Sequence, residues 1–322
     1  MRRITPLSLS PCSPTTSSSP PRAHDYVPRG RAGEDRARAP GQALAPGAIG
    51  TLKQGKVVAV EADGPKKAVV LESGERVAYD ALVLATGSVW PEQLQFPDDA
   101  TRVPDHLAHW REKIAAAKSV TLVGGGSVGI ELAGEIKEFF PEKKVTIVHG
   151  QEMLLNSTYP NKFRKAFEPR LKAKGIEVIS NDYIEHIPEG TYSSVKTRKG
   201  KEIQTDLVLP TFGAKPNTSF LPASFLTSAG HVKVRPTLQT AGHDDIFAAG
   251  DIIDWKEQKQ AAKSPGHAAV VAKNVKALLE GAKPTAVYKG SYEIIIVTIG
   301  KTGGVGTLVS LGPCDGRLVC TH

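Results

Sequence analysis

Cysteine is scarce in this chain: its 322 residues include three, Cys12, Cys314 and Cys320, and no two stand at Cys-x-x-Cys spacing. That argues against a disulfide framework, a zinc knuckle and a redox-active dithiol, and makes a reducing, intracellular setting the default expectation. No metal site is expected. No apolar run approaches the length of a membrane span. Aromatic residues make up 6% of the chain, and no motif combines them with basic residues as a nucleic-acid surface would. The net charge of +8 therefore reads as solubilising charge, and no specific nucleic-acid partner is expected.

What is present suffices for a sizeable core and two domains. Residues 1–45 are rich in Ser, Pro, Arg and Gly with almost no apolar periodicity. They cannot bury enough surface to offset their ordering entropy, so disorder is expected there. The opening MRRITPLSLS has the basic, hydroxylated character of a mitochondrial presequence, but Pro6, Pro11, Pro14, Pro20 and Pro21 oppose the amphipathic helix such a signal needs.

From residue 56 short alternating runs, KVVAVEA and KKAVVLES, read as antiparallel strands broken by turns. Residues 80–87 end as a near-continuous apolar strand suited to burial on both faces. Residues 105–118 carry Leu107, Trp110, Ile114 and Ala117 at helical spacing. A basic helix over 161–174, a strand over 176–180, and two β runs over 192–197 and 202–209 follow. DLVLPTFGAKPNT (206–218) repeats the form of DALVLATGSVWP (80–91), an apolar strand leaving into a Gly and Pro turn. A strand over 245–249, a helix over 261–280 and a β run over 292–300 complete the pattern.

The most informative stretch is VTLVGGGSVGIELAGEI (120–136), an apolar β run that turns through glycines directly into a helix-forming segment. Its spacing is Gly124-x-Gly126-x-x-Gly129. The first glycine permits the tight turn, the second lets backbone approach a pyrophosphate, and the third allows close packing of helix and sheet. Gly125, Ser127 and Val128 complete the turn, and the helix amides from Ser127 onward aim unpaired N–H groups at phosphate. VTIVHG (145–150) supplies the following strand. His149 ends that strand, about 20 residues past the glycines, where NAD-selective sites often place an acid on the ribose 2′-hydroxyl. A His cannot act as that acidic filter, so NADPH is expected to be tolerated beside NADH, with Lys143 and Lys144 adding attraction. The plainer alternative makes His149 a solvent-exposed strand end.

The order of LVLATGS (82–88), VGGGSVGIELAGEIKEFFPEKKVTIVH (123–149), TFGAKPNT (211–218), IFAAGDI (246–252) and SPGHAAVVAKNV (264–275) resembles the FAD-dependent pyridine-nucleotide oxidoreductases. Within them it looks most like the apoptosis-inducing-factor homologues of the ferroptosis-suppressor type and their fungal relatives. The resemblance implies an α/β fold of two Rossmann-like domains, the NAD(P) domain inserted in an FAD domain, with a small antiparallel β element. The corresponding division is a segment 1–45, FAD-domain parts over 46–103 and 213–283, an NAD(P) domain over 104–212 and a C-terminal region over 284–322.

Carried onto this chain, the resemblance puts Gly124, Gly126 and Gly129 at the NAD(P) pyrophosphate and Glu131, in the first helical turn, near the nicotinamide. Glu131 is alternatively a carboxylate favoured by the helix dipole. Asp251, after Gly250, would accept from a flavin ribityl hydroxyl, or serve as an N-cap. Thr86, Gly87 and Gly213 would return the chain beside the cofactors, and Val57 would offer backbone contacts to adenine or be an ordinary core residue. His267 would sit near the flavin ring as a catalytic group, or be structural. Lys301 is a weaker candidate for an anionic contact. The implied activity is hydride transfer from NAD(P)H to FAD and onward electron transfer to a quinone or other acceptor, in the cytoplasm, with peripheral membrane or mitochondrial placement and oligomeric state left open.

Two departures stand out. The family begins with its own glycine turn for FAD, and here PGAIG (46–50) has no preceding strand. Losing two charge-assisted amide-to-phosphate bonds would cost roughly 3–6 kcal/mol, about a hundred-fold to ten-thousand-fold in affinity. TLVSLGPCDGRLVCTH (307–322) also differs from the family's tail. The FAD domain is therefore expected to be incomplete, and the alternative reading is a truncated, catalytically impaired nucleotide-binding remnant.

Overall fold

The computed structural model describes residues 50–190 and 192–309. The disorder expected for residues 1–45 and the end of the divergent tail lie outside them. In chain order, an antiparallel meander of β1 (Val57–Glu61), β2 (Ala68–Leu71) and β3 (Arg76–Ala78) precedes the short strands β4 (Leu82–Leu84) and β5 (Ser88–Val89). Helix α1 (Val103–Ala116) leads into β6 (Ser119–Val123), α2 (Ser127–Phe139), β7 (Lys144–His149), α3 (Asn161–Lys165), α4 (Phe167–Ala173) and β8 (Ile176–Ser180). The hairpin β9 (Ser194–Lys196) and β10 (Glu202–Gln204) precedes β11 (Leu207–Pro210), β12 (Lys215–Pro216) and β13 (Ile246–Ala248). Helix α5 (Ser264–Leu279) and the hairpin β14 (Glu293–Thr298) with β15 (Gly304–Val309) follow.

Near-continuous apolar strands need cover on both faces, which parallel sheets provide. β6, β7 and β11 are of this kind, and with β8 they form a parallel sheet in the order β11-β6-β7-β8. α2 covers this sheet and is itself covered by the C-terminal hairpin: a side chain at Gly134 would run into the Ile299 and Gly300 backbone at 2.6–2.9 Å. One core gathers Leu122, Ile130, Ile147, Phe163, Phe167 and Val297. A second gathers β1, β2, β4, β13 and α5 around Phe247, Leu238 and Val271. The two similar segments noted in the sequence come together, because β5 pairs antiparallel with β12 where the chain crosses between the cores.

Several elements differ from expectation for local reasons. β4 pairs in parallel with β13, but Val83 is 42% exposed, so among the described residues only one face of this strand is covered. The helix expected over 161–174 breaks at Ala166, because Pro169 has no N–H to continue the ladder and its ring crowds the Lys165 carbonyl. The run 202–209 divides between a hairpin and the parallel sheet. Asp206 turns aside there to accept the amides of Lys118 and Ser119 at 2.9 and 2.8 Å.

Candidate functional site

The turn between β6 and α2 is shaped by its glycines in three separate ways. Gly124 has φ +123°, which L side chains rarely adopt, and a Cβ there would meet the Thr211 and Phe212 backbone at 2.7–2.9 Å. At Gly129 a Cβ would strike the carbonyl of Gly124. At Gly126 it would meet nothing within 4 Å. The first and third glycines are thus required by the fold, and the second keeps a space open. Thr211, absent from the sequence-derived candidates, locks the turn from β11 by donating its hydroxyl to the Gly124 carbonyl at 2.8 Å.

Gly126 is the N-cap of α2 and no side chain caps the helix. The first-turn amides therefore keep the capacity to bind an anion. Gly124, Gly125, Gly126, Ser127 and Val128 line a cavity of about 670 Å³ that also reaches Ser88, Gly213, His231, Asp251 and Lys259. This cavity carries the site.

His149 lies in its wall with both ring nitrogens in use. Nδ1 accepts from the Gly125 N–H at 3.1 Å, which requires the hydrogen on Nε2, and Nε2–H donates to the Met153 carbonyl at 3.0 Å. Burial holds its pKa below the ordinary value, so it is a neutral strut of the turn. Lys143 and Lys144 were expected to attract a phosphate to this place. They stand at the opposite end of β7, and Lys143 is buried with its ammonium on the carbonyls of Ala115 and Ala117. They have no part in the cavity.

The sequence pattern of the pyridine nucleotide-disulphide oxidoreductases matches residues 19–272. The protein belongs to that family. Among its relatives, it is 46% identical to the FAD-dependent oxidoreductase FVFD30 of Flammulina velutipes over 281 residues, 85% of this chain and 86% of that protein. Identity is 33% to apoptosis-inducing factor homolog A of Dictyostelium discoideum, over 77% of this chain and 65% of that one, and 30% to ferroptosis suppressor protein 1 of Homo sapiens, over 80% and 71%. In fold it is similar to the NAD-dependent persulfide reductase from A. fulgidus, with a TM-score of 0.63 at 18% identity. It is also similar to the water-forming NADH oxidase from Lactobacillus brevis, with a TM-score of 0.62 at 21% identity. The chain spans 50% and 59% of the lengths of those two solved structures.

As members of an FAD-dependent, NAD(P)H-using family, the residues at the far end of the cavity can be tested against a flavin. They fit its ribityl side. Asp251 lines the cavity and accepts from the Ser88 hydroxyl through Oδ2 at 2.8 Å. Gly250 has φ +76° and open space where a Cβ would be, so backbone can approach a ring there. Thr86 and Gly87 are close by but turned to structure: the Thr86 hydroxyl donates to the Asn217 carbonyl at 2.6 Å, and the Gly87 carbonyl accepts from the Asn217 amide at 2.9 Å. Among the described residues no second Gly-x-Gly-x-x-Gly turn is present to hold the FAD diphosphate.

Val57, Glu131 and His267 lie outside the cavity lining, as do Thr86, Gly87, Gly129 and Gly250. Val57 is a buried core residue of β1 at 7% exposure. Glu131 sits in the second turn of α2 rather than the first, since the helix starts at Ser127, and its carboxylate accepts from the amide and hydroxyl of Thr298 at 3.1 Å. His267 is 2% exposed. Its Nδ1 accepts from the Gly250 amide at 3.1 Å and its Nε2–H donates to Glu257 at 2.9 Å, while burial lowers its pKa. Glu257 also accepts from Tyr288 at 2.9 Å, and Lys263 balances Glu257 and Glu293 within the same buried group. Lys301 stacks its ammonium over Phe139, 5.4 Å from the ring centre.

His231, Gln258 and Lys259 line the cavity without having been legible as candidates. Lys259 donates to the carbonyls of Ile253 and Trp255 at 2.8 and 3.2 Å, and burial lowers its pKa. No local motif marks these three; only the fold brings them to Asp251.

Proposed function

We propose that the protein oxidises NAD(P)H and delivers the electrons, by way of FAD, to a quinone or another small external acceptor. The observation that carries this reading is the continuity of one cavity from the Gly126 turn to Asp251, which would let a nicotinamide and a flavin occupy the same chamber. When bound, FAD supplies the two-electron chemistry that the side chains lack. The chain's own task is binding and orientation. The amides of Gly126, Ser127 and Val128 hold the nucleotide diphosphate, and Asp251 anchors a ribityl hydroxyl.

Glu131 and His267 act as positioning residues in this reading. Glu131 ties α2 to the hairpin, and His267 holds the Gly250 amide so that Asp251 faces the cavity. None of the three cysteines stands at Cys-x-x-Cys spacing, which favours an acceptor that meets the flavin directly. A quinone-type acceptor is what the resemblance to the ferroptosis-suppressor type implies, and the identity of 30% to ferroptosis suppressor protein 1 agrees with that resemblance. The impaired-remnant alternative draws no support from a relative aligned over 86% of its length.

The test is the absorption spectrum of purified protein supplied with FAD, followed under anaerobic conditions by NADH and then a soluble quinone. Flavin bands that bleach with NADH and return with quinone are expected. Absence of flavin bands, or bands that NADH does not bleach, would refute the proposal, and bleaching that no quinone reverses would remove the quinone as acceptor.

A further inference from the structure

The adenosine end of the cavity carries an acid that β7 itself does not supply. In dinucleotide folds the ribose beside the adenine lies at the end of the second strand, here His149. The segment after β8 runs against that end: the Asn181 amide donates to the Gln151 carbonyl at 3.1 Å and the Asp182 amide to the His149 carbonyl at 3.2 Å. Asp182 is 4% exposed and lines the cavity. Its Oδ1 accepts the amides of Tyr183 and Lys199 at 2.8 and 3.2 Å. Burial alone would raise its pKa; the Thr197 hydroxyl, those two amides and the nearby charge of Lys199 outweigh burial and keep the carboxylate ionised.

Lys199 draws on this charge from outside, and among the described residues no lysine or arginine lines the cavity at this end. His149 is neutral and fully engaged. Arg164 spends its guanidinium on Gln151 and the carbonyls of Met153, Leu154 and Leu155, outside the cavity lining. Arg198 pairs with Glu185 and stacks on Tyr183, and Lys199 is exposed outside the lining. Among the described residues the one lysine or arginine that lines the cavity is Lys259, which stands near Asp251 at the other end.

We propose that Asp182 makes this site selective for NADH over NADPH, by placing a carboxylate beside the ribose 2′ position. NADPH would bring a dianionic phosphate against a fixed negative charge with no arginine or lysine in the cavity lining beside it. The acid that the end of β7 lacks is thus provided from the neighbouring strand's loop. This inference rests on the dinucleotide reading of the turn.

The test is calorimetric titration of the full chain with NADH and with NADPH, in the unaltered protein and in Asp182→Asn, which keeps an acceptor for the two amides. NADPH is expected to bind at least ten-fold more weakly than NADH, and Asp182→Asn to narrow the ratio to about three-fold or less. The ratio in the unaltered protein should also narrow as salt rises, because repulsion is screened. Equal affinities, or a preference that survives both Asp182→Asn and high salt, would overturn the inference and leave the dinucleotide site standing. Should the variant fail to fold, the salt series on the unaltered protein decides. Failure of both nucleotides to bind the unaltered protein would instead remove the dinucleotide reading itself.

Discussion

Replacing Gly126 with alanine separates what the glycine turn does for the fold from what it does for a ligand. Gly126 has φ −76°, available to any residue, and an added Cβ meets no protein atom within 4 Å. Alanine is a poorer N-cap than glycine, but the unfolded chain loses about 0.4–1 kcal/mol of conformational freedom in compensation. Stability should therefore change by less than about 1 kcal/mol, a shift of a few degrees in Tm. Binding should suffer far more. The methyl group would stand where a diphosphate approaches the amides, and loss of one charge-assisted hydrogen bond is worth about 1.5–3 kcal/mol, roughly 10- to 150-fold in Kd. Gly124→Ala is the contrasting control: positive φ and overlap with the Thr211 and Phe212 backbone should cost roughly 2–6 kcal/mol of stability. Thermal unfolding and calorimetric titration with NADH read the two effects separately. A folded Gly126→Ala protein that binds NADH within about three-fold of the original would refute the argument that these amides hold the nucleotide.

Asp251→Ala should weaken FAD binding by roughly 10- to 150-fold while leaving NADH affinity within about three-fold, followed by flavin fluorescence; unchanged FAD affinity would contradict the ribityl assignment. His267 is neutral in the fold with a lowered pKa, so its contribution is complete above about pH 6.5 and declines as the pH falls, by at most about 1.4 kcal/mol per unit. Urea unfolding at pH 7.5 and 5.5 should show this loss, with a shallower dependence in His267→Gln, and an identical dependence in both would count against it. Gly134→Val would force the Ile299–Gly300 backbone off α2 and should destabilise the protein by roughly 1–3 kcal/mol or more, seen as a lower Tm; an unchanged Tm would show that the hairpin is not held there.

Residues whose function lies in backbone shape were readable from sequence because the reason is local. The glycines at 124, 126 and 129 and the strand and helix around them needed nothing from elsewhere in the chain to be recognised. Residues acting through distant partners were not readable in this way. Nothing near His267 announces that its ring will bridge the Gly250 amide and Glu257. Nothing near Asp182 announces that it will lie against the end of β7. Lys143 and Lys144 show the reverse error: close to His149 in sequence, they are separated from it by the length of a strand, roughly 16 Å at 3.3 Å per residue. The break of 161–174 at Pro169 was legible in principle, since a proline within a helical run warns of an interrupted ladder.

The pairing of β5 with β12 has a mechanical meaning. The polypeptide passes between its two cores three times: two of the passages, β5 and β12, lie side by side, cross-linked by the Thr86–Asn217 and Gly87–Asn217 contacts, and the third runs from Tyr288 into the hairpin that covers α2. Two antiparallel straps fastened side by side resist torsion, because a twist would shear every fastening at once. With the third passage anchored to α2 at Gly134 and to the other body through Lys263 and Glu293, the three together oppose relative movement and hold the opposing walls of the chamber in register.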